Sequence, residues 1–348
     1  MMKFATIVCL LASAVASAIS LAAAGYPTPR EDDWILRDFR FQTGEVLPEL
    51  HLHYTTVGAS TGEPVLLLHG TGQSAANLLA SNFGGELFGA GQPLDARRYF
   101  IILPDAIGHG KSSKPSDGLR TRFPRYTYDD MVTASYRLLA ERLGVRHVKL
   151  VLGTSMGGME TWIWGEKYPA FTDALVPLAS EPAAMAGRNW MLRRMVIDAI
   201  RSDPEWRDGN YSKQPTSWKT AQAFFGIATG GGALVLYNAT PTREQTDAEL
   251  ARRLAADAPA DANDVLYQFE AARDYNPAPD LEKITARVLA INSADDERNP
   301  VELGVMEQAM KRVKNGRYVL LPITDQSRGH GTTYNATLWR QYLAELLQ

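Results

Sequence analysis

The sequence predicts an α/β fold: a mostly parallel sheet with helices on both faces and a helical lid inserted before its last strands. Three observations predict it. Short apolar runs alternate with stretches of helical spacing after an antiparallel start. One of those runs ends in Gly153-Thr154-Ser155-Met156-Gly157, the pattern of a tight strand-to-helix turn that lifts a serine at its apex. From Ser180 to about Glu282 strand signals nearly vanish, and only then does the alternation resume.

The chain begins with a segment of leader character. Lys3 is the only charge before Arg30, and Phe4–Ala24 is apolar or small throughout. Ala16-Ser17-Ala18 and Ala22-Ala23-Ala24 both fit the small-x-small rule for cleavage. A run of about 20 apolar residues is also long enough to span a bilayer, but so much Ala and Ser makes a weak span. The expectation is a signal peptide over residues 1–24 and export to the periplasm or medium, with no stable membrane association after cleavage. Cys9, the single cysteine, lies inside that run, so the mature chain has none, which suits an oxidising compartment. A formal net charge of −3 without blocks of like charge gives no reason to expect nucleic acid as a partner. Histidines are scattered and no Cys/His cluster has zinc-ligand spacing, so neither a metal nor a cofactor is expected.

Residues 25–180 read as the first part of the core. Trp34–Phe41 and Glu49–Val57 alternate apolar and polar around a Thr43-Gly44-Glu45 turn, an edge hairpin. Pro64–Leu68 and Tyr99–Leu103 are wholly apolar, as strands buried on both faces should be. Tyr128–Leu143 has helical spacing. The strand Val148–Leu152 leads into the serine turn, the helix Met159–Tyr168 follows, and Ala174–Leu178 is a further strand. Residues 181–282 form the lid insertion, with helices over Arg188–Arg201, Thr216–Ile227, Thr242–Asp257 and Asp261–Asp274. The third opens on a capping box, Thr242 with Gln245. Residues 283–348 complete the core with strands Arg287–Ile291 and Tyr318–Leu321 and helices Val301–Val313 and Thr333–Leu347.

A serine hydroxyl is a poor nucleophile and needs a base in hydrogen-bond reach, itself oriented by a carboxylate. Ser155 is the nucleophile candidate. Among six histidines only His330, in Arg328-Gly329-His330-Gly331, lies both beyond the serine turn and after a strand. The acid lies in Asn292-Ser293-Ala294-Asp295-Asp296-Glu297, where Asp295 and Asp296 compete. Asp296, four residues before Pro300, matches the usual acid-loop layout and is favoured; spacing alone does not choose. An oxyanion hole needs two convergent N–H groups, and Met156 and Thr71 are the candidates, the latter flanked by Gly70 and Gly72. His69, Asp105 and His109 read as structural.

Assembled in this order, the chain from about residue 34 onward resembles the α/β-hydrolase superfamily. Within it the likeness is to the homoserine O-acetyltransferase family. Phe41–Leu47, His53–Gly58, the turn Gly153–Gly158, and Ile200–Trp206 with Gly209-Asn210-Tyr211 all look like that family. The resemblance implies a Ser155–Asp296–His330 triad, an acyl-enzyme at Ser155, and a lid that in relatives often contributes to a homodimer. Three departures place it on a hydrolase-like branch. The leader removes it from the CoA pool, and His69-Gly70-Thr71-Gly72 is the hydrolase form of the oxyanion loop. The lid helix Thr216–Ile227 carries only Lys219 as a cation, where the acetyltransferases have an arginine. The expected function is cleavage of a carboxylic ester or related small acyl compound. Acyl transfer to an alcohol or amino-acid acceptor, and a non-catalytic binding role of the same fold, are the alternatives. The lid's Trp190, Trp206, Trp218, Met185, Met191, Met195, Phe224 and Phe225 would either line an acyl pocket or pack lid on core, and Arg193 or Arg194 would meet a substrate carboxylate.

Overall fold

A computed structural model describes residues 25–230, 232–255 and 260–348; the expected leader lies outside the described residues. Eight strands form one sheet in the order β1-β2-β4-β3-β5-β6-β7-β8. β1 (Arg30–Arg40) and β2 (Val46–Val57) make the antiparallel edge hairpin, and β2 also runs antiparallel to β4 (Tyr99–Pro104). β3 (Glu63–Leu68), β5 (Leu150–Thr154), β6 (Ala174–Leu178), β7 (Arg287–Ser293) and β8 (Gly316–Leu321) continue in parallel.

The apolar strands carry two cores because successive side chains leave opposite faces. Leu66, Leu68, Ile102 and Val151 face one core, while Val65, Leu67, Ile101, Leu103, Leu150 and Leu152 face the other. The helix Met156–Lys167 covers the first face, and the C-terminal helix Arg340–Leu347 the second. The lid joins the first core through Val196, Ile197, Ile200, Trp206 and Trp218. Trp206 donates to Asn263 Oδ1 at 2.8 Å and Trp218 to the Pro215 carbonyl at 3.0 Å, so each buried ring satisfies its N–H within the lid itself. Met191, Met195 and Phe224 point to solvent instead.

Differences from the sequence-based elements lie at ends and breaks. Tyr128–Arg137 is α-helical but its last turn widens to a π-turn over Leu138–Arg142. The expected helix Val301–Val313 is interrupted at Gly304, whose φ of 62° splits it into a 3₁₀ turn and Val305–Met310. The closing helix starts only at Arg340, because 3₁₀ turns occupy Gly329–Tyr334 and Ala336–Leu338. The lid helix Ala233–Ala239 has no counterpart in the sequence reading. Thr242 and Gln245 do exchange the two backbone–side-chain bonds of a capping box, both at 3.3 Å.

Candidate active site

At the end of β5 the chain turns into the helix Met156–Lys167 through Ser155, whose φ of 56° and ψ of −112° no side chain adopts cheaply. Such a conformation costs about 1–3 kcal/mol and persists only where its surroundings fix it. Here Ser155 N–H donates to the Leu178 carbonyl at the end of β6 (2.9 Å), and Gly157 N–H to the His69 carbonyl after β3 (3.0 Å). The two glycines of the turn follow from close approach. A Cβ on Gly153 would strike the Gly157 carbonyl, and one on Gly157 the Leu68 carbonyl.

Ser155, His330 and Asp296 lie in one hydrogen-bonded line. Ser155 Oγ is 2.8 Å from His330 Nε2, and His330 Nδ1 is 2.8 Å from Asp296 Oδ2. All three side chains are buried. The second carboxylate oxygen of Asp296 accepts the Arg298 N–H at 2.9 Å, and Asn299 Nδ2 donates to Oδ2 at 2.8 Å. Burial alone would raise the Asp296 carboxyl; the His330 charge and hydrogen bond, with those two donors, outweigh it and hold the group below the usual carboxylate range. Between the two competing aspartates, geometry separates the tasks. Asp296 faces the imidazole, whereas Asp295 accepts from Ser293 Oγ and from the Gly329 N–H (2.8 Å), fastening the loop that carries His330.

The loop after β3 lies over the nucleophile. A Cβ on Gly70 would sit 3.5 Å from Ser155 Cβ, 2.6 Å from Tyr334 Oη and 2.9 Å from Gln73 Oε1. Neither the Thr71 nor the Met156 N–H donates to any carbonyl among the described residues, so both remain free to meet an oxyanion. His69 closes this loop onto its neighbour: Nδ1–H donates to the Gly70 carbonyl (2.9 Å) and Nε2 accepts the Ala106 N–H (3.0 Å). Burial lowers its proton affinity, so it is a neutral strut. Asp105 is likewise spent on backbone, accepting from Ala75 (2.7 Å) and Lys111 (2.8 Å).

Sequence reasoning missed three contributors. Tyr334, on the histidine loop, accepts from Thr154 Oγ1 at 2.7 Å and donates to Gln73 Oε1, which in turn holds the Gly70 N–H at 3.1 Å. One phenol thus ties β5, the loop after β3 and the histidine loop together. Burial pushes it up to about 12, so it stays a donor at neutral pH. Asn299 was detectable only as a polar residue on the acid loop. Arg298 enters the lid interface, its guanidinium 3.6 Å from the Phe225 ring centroid. Of the adjacent lid arginines singled out in the sequence, Arg194 pairs in solvent with Asp198 (3.0 Å), while Arg193 is fully buried. No cluster of His, Cys, Asp and Glu among the described residues has metal-site form.

Chemically, a neutral His330 can take the Ser155 proton as Oγ attacks a carbonyl, with Asp296 balancing the imidazolium and two N–H groups awaiting the oxyanion. A family model described as "alpha/beta hydrolase fold" matches residues 63–223. The homoserine O-acetyltransferase of Thermobifida fusca (strain YX) is 35% identical over 191 residues, 50% of each chain. A probable acyltransferase of Methanothermobacter thermautotrophicus is 27% identical over 282 residues, 79% of this chain and 85% of that one. The chain thus matches about half the length of the acetyltransferase. The solved structure of esterase E22 superposes with a TM-score of 0.80 at 18% identity, covering 92% of this chain and 100% of that one.

Proposed function

Since the chain belongs to the α/β-hydrolase superfamily, and is homoserine O-acetyltransferase-like within it, we propose that it is an exported serine hydrolase that opens a carboxylic ester or related small acyl compound. The observation that carries this reading is the unbroken line Ser155 Oγ–His330 Nε2 and His330 Nδ1–Asp296 Oδ2, each 2.8 Å. Ser155 Oγ bonds to the acyl carbon as its proton passes to His330. The N–H groups of Met156 and Thr71 hold the oxyanion. Collapse expels the alcohol, which takes the proton from His330. Water then adds to the acyl-enzyme with His330 as base, releasing the free acid and the serine.

A fluorophosphonate probe tests the nucleophile. Wild type is expected to be labelled and Ser155→Ala not; equal labelling of the two removes the serine from the mechanism, and no labelling of wild type favours a binding protein of the same fold. The relatives' names favour a second reading, acyl transfer from the same intermediate. Turnover of an activated acetyl ester with and without homoserine separates them. Free acetate as the main product supports hydrolysis, and acetyl-homoserine as the main product replaces it.

Export rests on the composition of residues 1–24. Mass spectrometry of the N-terminus of protein recovered from the periplasm or medium tests it, an intact Met1 being the contrary result. A homodimer through the lid draws support from the exposed apolar side chains Met191, Met195 and Phe224.

A further inference from the structure

The loop that carries Asp296 meets the lid at the residues on both sides of the acid. Its own backbone does little to place it. After Ala294, whose N–H donates to the Leu321 carbonyl at the end of β8 (2.9 Å), the backbone bonds among the described residues are local. Asp296 N–H meets the Ser293 carbonyl and Leu303 N–H the Pro300 carbonyl, each at 3.1 Å. From the lid, Gly232 comes so near Asp295 that an added Cβ would stand 3.0 Å from the Asp295 Cβ. Glu297 pairs with Arg188 on the lid helix Gly187–Arg201, a partly exposed ion pair of small weight.

Arg298 makes the stronger link. It is buried, its guanidinium lies 3.6 Å from the Phe225 ring centroid, and its Nη2 donates to Thr229 Oγ1. Both partners belong to the lid helix Trp218–Thr229, and the Thr229 hydroxyl is turned to accept because it donates to the Phe225 carbonyl at 2.7 Å. The ring is backed in turn by Phe269 of the helix Ala262–Glu270, 4.7 Å between centroids, and Arg193 stands 5.6 Å from Phe269. A cation, two rings and a second cation thus run from the acid loop through three lid helices. With its Nε left without a partner, Arg298 depends on the face of Phe225, and such attraction is strongest where water is excluded. Burial, then the Arg193 charge, pushes Arg298 down to about 9 against the pull of Asp296, so it is still a cation at neutral pH.

What this stack fixes is the carboxylate. The Arg298 N–H donates to Asp296 Oδ1 (2.9 Å), and the adjoining Asn299 Nδ2 donates to Oδ2 (2.8 Å), the oxygen that His330 Nδ1 meets. A side chain pinned at position 298 therefore pins both donors that turn Asp296 toward the imidazole. We propose that Arg298 is a positioning residue for Asp296, and that its stack on Phe225 makes a seated lid the condition for an aligned acid. This rests on the hydrolase reading for its effect on rate, though not for its effect on geometry.

Phe225→Leu removes the ring face but keeps apolar bulk, and Phe225→Tyr keeps the face. Arg298→Met keeps the stem and the backbone N–H and removes the charge. Turnover of 4-nitrophenyl acetate, urea unfolding and the low-field proton resonance of His330 Nδ1–H are measured on each. Phe225→Leu and Arg298→Met should each lower kcat about tenfold with KM within about twofold of wild type, as a slightly misplaced carboxylate warrants. Together they should lose no more than either alone, because both remove one contact. Phe225→Tyr should keep kcat. The resonance should move or broaden in Phe225→Leu and hold its place in Phe225→Tyr. If Phe225→Leu loses stability but keeps kcat, the stack is lid packing and the proposal is overturned. A raised KM at unchanged kcat makes Phe225 a substrate contact and equally overturns it, as do losses that multiply in the double variant. Should Arg298→Met not fold, the two Phe225 variants decide. If wild type neither turns over the ester nor takes the fluorophosphonate, the hydrolase reading falls and the resonance alone decides: unmoved in Phe225→Leu, it overturns the positioning role too.

Discussion

Replacing Tyr334 by Phe removes a single oxygen from the point where β5 and two loops meet. The ring keeps its contact with Phe83, whose centroid is 6.3 Å away. What is lost is the acceptor for Thr154 Oγ1 and the donor to Gln73. Thr154 is completely buried, so its hydroxyl is left without a partner at a cost of about 1–3 kcal/mol in folding stability. Gln73 still holds the Gly70 N–H, so the loop bearing Thr71 survives but loses its tether to the histidine loop. A donor displaced by a fraction of an ångström from an oxyanion costs about 10- to 100-fold in rate. The expected result is therefore a kcat lowered about 10- to 100-fold at nearly unchanged KM. Urea unfolding should show the stability loss alongside. A variant that loses stability but keeps kcat within twofold would show that the phenol is a staple with no bearing on oxyanion placement. Loss of neither would refute the network as drawn.

Further outcomes can be checked in the same preparations. Asp296→Asn keeps the Arg298 N–H bond but withdraws the charge facing His330, and is expected to lower kcat by about 10⁴-fold with the fold retained by circular dichroism; a loss under tenfold would return the role to Asp295. Gly157→Ala places a methyl group against the Leu68 carbonyl and should destabilise by about 3 kcal/mol or more, or abolish soluble expression; a stable, active variant contradicts the packing described. His109 is buried, and burial, with the His69 ring 5.2 Å away as a competing site for a proton, pushes it down to about 3. Its unfolded form binds a proton below about 6.5 and the folded form does not, so this residue draws the protein toward unfolding as pH falls. Relative to wild type, His109→Leu should thus gain stability between pH 7 and pH 5, and a constant difference across that range would exclude the effect. Phe224→Asp on the exposed lid face should shift a dimer toward monomer in sedimentation; an unchanged mass removes this face from the interface.

Much of the fold was legible because parallel strands are buried on both faces and read as unbroken apolar runs. Ala174–Leu178 emerged with its bounds intact. Helix ends were harder, since a single left-handed glycine, Gly304, interrupts a run whose spacing is otherwise helical. The line of Ser155, Asp296 and His330 was readable because each stands just past a strand, and strand ends on one edge of a parallel sheet converge. Between Asp295 and Asp296 the layout before Pro300 favoured Asp296, as found, but spacing alone did not choose. Adjacent residues point different ways, and only the turn after β7 decides which one meets the imidazole. Tyr334 left no trace in the sequence, because its partners Thr154 and Gln73 are 180 and 261 positions away. Trp206 and Trp218 turned out to be buried in the first core, while Arg193 and Arg194, adjacent in sequence, differ entirely in surroundings because a helix turns by about 100° per residue.

The 175 positions between Ser155 and His330 also set a schedule for synthesis. A nascent chain that has reached the lid carries Ser155, the loop after β3 and the Leu178 carbonyl that fixes the serine turn, but no base. The lid must be made, and β7 and β8 must add to the growing sheet edge, before an imidazole can approach. Catalytic competence therefore arrives among the last events of chain completion. A ribosome stalled within the lid, or a product truncated before β8, would be chemically silent rather than weakly active, and bond-breaking power is withheld until the molecule that must contain it is whole.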